Sequence, residues 1–134
     1  MPMGAPEWPR GGEIDLMEWV QGTPLQIYQT VHTYYINGVN GSAGVTNKNP
    51  DKNFDVTKDH VYAVERTEKE LIFYVDGKET WRYGNQYLDE GKLQYPFCEY
   101  PFNIILNFSL GGELNGRMTW PGEICDEDLP GEMW

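Results

Sequence analysis

The chain has 134 residues, with 10 basic and 21 acidic side chains and a formal net charge of −11 at neutral pH. This length suits one domain, and the negative charge excludes nucleic acid as a partner because the phosphates would be repelled. The charge also disfavours polyanionic polysaccharides. No apolar run is long enough to span a membrane, and residues 1–6 do not resemble a signal peptide.

Three acidic residues lie in one short apolar stretch, residues 11–19 (GGEIDLMEW). Strand alternation would place Glu13 and Asp15 on one face and Glu18 on the other. One extra residue, a β-bulge at Leu16–Met17, would turn Glu18 onto the face of the other two acids. Like charges on a half-buried strand cost stability, so a structural role explains them poorly. A glycoside hydrolase needs such a set of acids.

The remaining sequence predicts strands separated by turns. Runs rich in β-branched and aromatic residues predict strands at 25–36, 60–66, 71–75 and 78–83. Asp76-Gly77 predicts a tight two-residue turn, residues 37–55 predict a long loop, and residues 101–110 predict a buried strand. With no helical periodicity and no repeat, the pattern predicts an all-β sandwich or barrel. Trp19 is expected to face the core, and Arg82 and Tyr83 to lie at the surface.

The segment Glu13-Ile14-Asp15-Leu16-Met17-Glu18 resembles the bulged signature of glycoside hydrolase family 16, Glu-(Ile/Leu)-Asp-x-x-Glu. This form is typical of laminarinases, agarases and carrageenases. Residues 30–32, 62–78 and 101–112 resemble further segments of that family in order and content. The resemblance covers nearly the whole chain and implies an antiparallel β-sandwich of the concanavalin-like jelly-roll type, with a glycan cleft on its concave sheet.

The resemblance also implies a role for each acid. Carried over by position, Glu13 is the nucleophile, Glu18 the acid/base, and Asp15 the residue that assists them. A carboxyl separation of about 5–5.5 Å would mean a retaining mechanism, which we expect. The expected activity is endo-hydrolysis of internal β-glycosidic bonds in a neutral polysaccharide. β-1,3-Glucan is the first choice, followed by mixed-linkage glucan, agar-type galactans and host O-glycans; the alternative is a non-catalytic carbohydrate-binding sandwich or an inactive fragment.

Four other residues are candidates for substrate binding. Trp8 could form a platform for a sugar ring, and His32 would share a strand face with Thr30. In relatives that histidine lies by the acid/base; the alternative is a strand histidine satisfied by a neighbour. Asn107 could bond a sugar hydroxyl or, as an alternative, pair with a sheet edge or water. Trp120 could border the cleft on a loop.

The sequence indicates neither a metal site nor a cofactor. His32 and His60 have no liganding neighbours at useful spacing, and Cys98 and Cys125 are compatible with one disulfide or two free thiols. The family usually has Trp where Arg66 stands, and this position is expected to lie outside the catalytic chemistry.

Complete family-16 domains are much longer than this chain. We therefore expect residues 1–134 to form a partial catalytic domain, with an incomplete sandwich and possible self-association through exposed sheet edges. The parent protein is expected to be secreted, periplasmic or at the cell surface.

Overall fold

The part of the chain that the structure describes forms antiparallel β-sheets with almost no helix, as the sequence predicts. A computed structural model describes residues 1–36, 54–88 and 93–109, together with the backbone of three short strands at 45–48, 113–114 and 117–118. The strands are β1 Glu13–Glu18, β2 Tyr28–His32, β3 Val45–Lys48, β4 Tyr62–Arg66, β5 Glu70–Val75, β6 Lys78–Gly84, β7 Glu113–Leu114 and β8 Arg117–Met118. A short 3-10 helix spans Pro96–Cys98. No described helix has the length and apolar character needed to cross a membrane.

The first sheet has the order β1-β2-β3 and carries the acidic stretch at one edge. β1 and β2 are antiparallel. Directly opposed residues share a face, so the alternation separates a core side from an outer side. Ile14 packs against the core, and Gln29 and Val31 are buried. Their neighbours on each strand therefore point to the opposite face.

The second sheet is a meander in the order β4-β5-β6. Asp76 and Gly77 both have positive φ, 52° and 74°, as a tight two-residue hairpin turn requires. On β5, Leu71 and Phe73 are fully buried, and they pair with Tyr83 and Trp81 of β6. The predicted turn and the two hairpins are thereby confirmed.

An aromatic core joins the two sheets. Its buried members come from β2, β5, β6 and the segment around the 3-10 helix: Val31, Leu71, Phe73, Tyr83, Tyr95 and Phe97. The prediction that Tyr83 lies at the surface is wrong, because alternation from Trp81 carries Tyr83 onto the core face, where its hydroxyl donates to the carbonyl of Gln94 at 3.0 Å. Arg82, on the other face, is exposed and bonds Glu70 and Glu79.

The start of β1 rests on this core. Gly12 has a φ of +79°, and a Cβ atom at this position would lie 2.6 Å from the Phe97 ring and 2.9 Å from Pro96. Arg66 holds the same segment in place, since it donates to the carbonyls of Phe97 at 2.8 Å and Tyr100 at 3.0 Å. A residue of the second sheet thus supports the strand that carries the acids.

Gly12→Ala should therefore destabilise the protein by about 2–5 kcal/mol. The left-handed backbone conformation costs a residue with a Cβ about 1–2 kcal/mol, and overpacking against Phe97 adds about 1–3 kcal/mol. Urea unfolding would measure the loss. Gly22→Ala is the matched control, because a Cβ there meets nothing within 4 Å; equal stability of the two variants would contradict the argument.

Three further expectations about the fold are wrong. Residues 101–109 form no strand; apart from a single bridge between Pro2 and Phe102, the segment is irregular, and Ile104 is 91% exposed. A strand is stable only with a partner, and no β-bridge among the described residues involves residues 104–108. β3 lies inside the predicted loop, and Trp19 is 43% exposed because β1 ends at Glu18.

Candidate active site

The three acids of β1 lie on one face, and a bulge puts them there. Glu13 pairs with His32 and Asp15 with Thr30, but Glu18 pairs with Tyr28. Three steps along β1 therefore oppose two steps along β2, which is the predicted extra residue between Asp15 and Glu18. The Thr30 hydroxyl donates to Glu18 Oε2 at 2.9 Å, so the Glu18 side chain does reach the face that bears Asp15.

Glu13 is held by Trp8. The indole Nε1 donates to Glu13 Oε2 at 2.7 Å from the loop that precedes β1. The pKa of Glu13 is raised, first by burial and then by the negative charge of Asp15, while the Trp8 hydrogen bond and His32 oppose the rise. The hydrogen bond favours the ionised form of a carboxyl that its surroundings otherwise push towards protonation.

Glu18 is the other half-buried carboxyl. Burial is the largest cause that raises its pKa, followed by the charge of Asp15 and, more weakly, that of Glu13. The Thr30 hydrogen bond and His32 act in the opposite direction. Burial, ahead of charge repulsion among the acids, is therefore the main cause of the raised pKa of Glu18.

Asp15 lies between the two glutamates and contacts His32. Asp15 Oδ2 is 3.3 Å from His32 Nε2, which is the distance of an ion pair. The Asp15 carboxylate is the main cause that raises the pKa of His32, although burial opposes it. Asp15 Oδ2 and His32 Nδ1 are buried and have no hydrogen-bond partner among the described residues. Such atoms are costly unless a ligand completes them.

Together these groups allow two protonation states side by side. The pKa values of Glu13 and Glu18 are both raised, by burial first and by Asp15 second, and in both a hydrogen bond and His32 oppose the rise. They differ in a weaker contribution: the N-terminal ammonium opposes the rise at Glu13, whereas the charge of Glu13 adds to the rise at Glu18. Carboxyls whose environments differ in this way can act as an ionised group and a proton donor in the same site.

Two of the four predicted binding residues lie at this site. Trp8 bonds Glu13, and its ring centroid is 6.0 Å from that of His32. Asn107 lies on the exposed segment 103–109, and none of its described contacts reaches the acids. Trp120 falls outside the described residues. The sequence reading missed Thr30 as a partner of Glu18, although its position two residues before His32 was a signal that the two share a face.

Thr30→Val should raise the pKa of Glu18 further, because it removes a donor that stabilises the carboxylate. If Glu18 must be protonated in the free enzyme, the alkaline limb of the pH profile of kcat/KM should move to higher pH. The measurement is that profile, with Thr80→Val as the control, since Thr80 bonds Gln29 and the carbonyl of Phe73 instead. An unmoved alkaline limb in Thr30→Val would contradict the link to Glu18.

Comparisons with known proteins agree with this geometry. The family model described as glycosyl hydrolases family 16 matches residues 3–123. A solved structure is 97% identical to this chain, with a TM-score of 0.88. It is described by the words "Prominent members of the human gut microbiota express endo-acting O-glycanases to initiate mucin breakdown". It aligns with 96% of this chain, which covers 54% of that one.

Two curated relatives are more distant. The β-glucanase of Rhodothermus marinus is 35% identical over 85% of this chain and 40% of its own length. The keratan-sulfate endo-1,4-β-galactosidase of Sphingobacterium multivorum is 30% identical over 94% of this chain and 27% of its own. The chain thus spans less than half the length of these curated relatives. With the family model matched over most of its residues, the chain belongs to glycoside hydrolase family 16.

Proposed function

We propose that this chain carries the catalytic acids of a retaining endo-β-glycosidase. Glu13 is the nucleophile, Glu18 the general acid/base, and Asp15 the group that tunes both. The observation that carries the proposal is the bulge between Asp15 and Glu18, which brings all three carboxyls to one face. A binding module has no need of three repelling acids on one strand, so the spacing favours catalysis over binding alone.

The first step forms a bond between Glu13 and the sugar. A Glu13 carboxylate oxygen attacks the anomeric carbon while the Glu18 carboxyl gives its proton to the departing glycosidic oxygen. Glu13 Oε2 accepts the Trp8 hydrogen bond, which leaves Oε1 as the attacking atom. The expected carboxyl separation is about 5–5.5 Å, as a double displacement requires.

The second step releases the product. The Glu18 carboxylate, now ionised, removes a proton from water, and the resulting hydroxide displaces Glu13 from the anomeric carbon. The configuration at that carbon is inverted twice and hence retained. The contact of Asp15 with His32 offsets part of the negative charge between the glutamates. The Asp15 carboxylate raises the pKa of His32 and so favours its cation.

For the substrate we propose O-glycans with internal β-linkages. The support is the 97% identity to a structure described with endo-acting O-glycanases, because so few substitutions leave little scope for different subsites. O-glycans were the last of the substrates expected from the sequence, and they are now proposed ahead of β-1,3-glucan. β-1,3-Glucan is the second candidate, supported by the β-glucanase of Rhodothermus marinus. Both are polymers found outside cells, so we propose that the protein acts outside the cytoplasm.

A substrate panel tests the proposal. The chain and its longer, 97% identical relative would be incubated with gastric mucin O-glycans, desulfated keratan, laminarin and mixed-linkage glucan, and the released oligosaccharides would be separated by chromatography. We expect products from O-glycans, and the first product in NMR should have the β configuration. Release from laminarin alone would favour the second candidate. A first product with the α configuration would contradict retention.

We also propose that the exposed apolar side chains promote self-association. The most exposed are Ile104, Ile105, Leu106 and Phe108, and exposed apolar segments without a strand partner commonly associate. Light scattering should show a mass that rises with concentration, and Leu106→Lys should reduce that rise. A constant monomer mass would contradict it.

A further inference from the structure

Within the described part of this acidic protein, Arg10 is a cation with no acidic partner. Its side chain is exposed, and its guanidinium carbon lies 4.4 Å from the centroid of the Tyr34 ring. The ion pairs among the described residues do not include it, although the sequence has 21 acidic side chains. Among the residues that the structure describes, the guanidinium therefore contacts a ring and makes no hydrogen bond, so its donors are available to another group.

Two parallel contacts place this cation beside the acids. The loop before β1 meets the end of β2 first through Trp8 and His32, whose ring centroids are 6.0 Å apart. The next contact, two residues further along both segments, is that of Arg10 with Tyr34. Strand rise limits the separation of His32 and Tyr34 to about 7 Å at Cα. Trp8 also bonds Glu13. Arg10 and Tyr34 therefore each follow, by two residues, the pair that contacts the face bearing the acids.

The chemistry of this pair suits a single anion. A guanidinium presents five donors in a planar fork that matches the oxygens of a sulfate or a carboxylate. Contact with the Tyr34 ring leaves the donors of the guanidinium without a hydrogen-bond partner among the described residues. A site made of one Arg differs from the basic groove that a polyanion needs, and the net charge of −11 would still repel a densely charged chain.

We propose that Arg10, seated on Tyr34, is a subsite for one anionic substituent, a sulfate ester or a carboxylate, on the glycan that spans the acids. The proposal rests on the proposed glycosidase function. It assigns Arg10 a role in specificity: the substituent binds on a sugar next to the one whose bond is cleaved.

Three related substrates test this subsite. They are a desulfated keratan oligosaccharide, the same oligosaccharide with one sulfate ester, and the same oligosaccharide with one terminal sialic acid. The quantity measured is the ratio of kcat/KM for each charged substrate to that for the neutral one. Arg10→Ala should lower this ratio about tenfold for the charged group that the site accepts, because a charge-assisted hydrogen bond is lost.

The controls separate a specific contact from general electrostatics. Lys69→Ala removes one exposed positive charge from the turn between β4 and β5 and should leave the ratio unchanged. Arg10→Lys keeps the charge but loses the fork, so its ratio should lie between those of the wild type and Arg10→Ala. Added salt should lower the wild-type ratio. Dissociation constants for the three oligosaccharides, measured in a Glu13→Gln background, should follow the same order.

The outcomes distinguish the subsite from the function on which it rests. If Arg10→Ala lowers the ratio for only one of the two charged oligosaccharides, the group on that oligosaccharide, sulfate or carboxylate, is the substituent that the site accepts. Cleavage of the neutral oligosaccharide with equal ratios in wild type and Arg10→Ala overturns the subsite and leaves the glycosidase proposal standing. If the wild type neither cleaves nor binds any of the three or the mucin and glucan substrates, both proposals fall. Melting temperatures equal to the wild type's exclude misfolding as the cause of a changed ratio.

Discussion

Glu13→Ala should lower turnover of the preferred glycan by roughly 10⁴-fold or more, since the variant has no group to form the covalent intermediate. The Glu18 proton donor remains in place, so an aryl glycoside with a good leaving group should still be activated. Added azide should then enter the space left by the carboxylate and form an α-glycosyl azide. Initial rates and NMR of the azide product are the measurements.

Glu7→Ala is the matched control for Glu13. Glu7 is an exposed carboxylate in the same loop as Trp8, so its loss changes the net charge equally and should leave the rate unchanged. Activity of Glu13→Ala within tenfold of the wild type, or a β-glycosyl azide, would remove Glu13 from the role of nucleophile.

Glu18→Gln should lower turnover of a natural glycan by about 10²–10⁴-fold. Its effect on an aryl glycoside with a good leaving group should be much smaller in the glycosylation step, because that group departs without a proton. The comparison of kcat/KM on the two substrates is the measurement. An equal loss on both would assign Glu18 a structural role instead of that of an acid.

A stability measurement shows whether these losses reflect misfolding. The folded-state pKa values of both Glu13 and Glu18 are raised, so folding opposes their ionisation. The cost is absent below the unfolded-state pKa and grows as the pH rises through the folded-state value. Glu13→Gln and Glu18→Gln should therefore melt above the wild type at pH 7, and the difference should shrink as the pH falls towards 4. A lower Tm at pH 7 would point to lost packing.

The catalytic strand could be predicted because local rules determine it. Strand alternation and residue count alone require a bulge if Glu18 is to join Glu13 and Asp15, and the register shows that extra residue. The turn at Asp76-Gly77 is equally local, since few other pairs accept positive φ at both positions. In both places the backbone follows from two or three neighbouring side chains.

The incorrect predictions depend on partners distant in sequence. Residues 101–109 have the composition of a buried strand, but their only β-bridge within the described structure is that of Phe102 with Pro2, so composition alone could not place them. The sequence predicts that Tyr83 lies at the surface beside Arg82, but its pairing with Leu71 places the ring on the core face. The Thr30 bond to Glu18 was missed because it crosses the bulge, where the two residues are not directly opposed.

The bulge also determines which deletions the site can tolerate. Loss of one residue from a regular strand is normally severe, because every later side chain changes face. Between Asp15 and Glu18 the opposite holds: without Leu16 or Met17, two steps along β1 would oppose two steps along β2, and Glu18 would keep its face. Loss of Ile14 would instead reverse Glu13 relative to Asp15. The three acids should therefore stay on one face after deletion of one residue between Asp15 and Glu18, but not after deletion of the residue between Glu13 and Asp15. The difference depends on whether the number of steps between the acids is odd or even, and not on which side chain is lost.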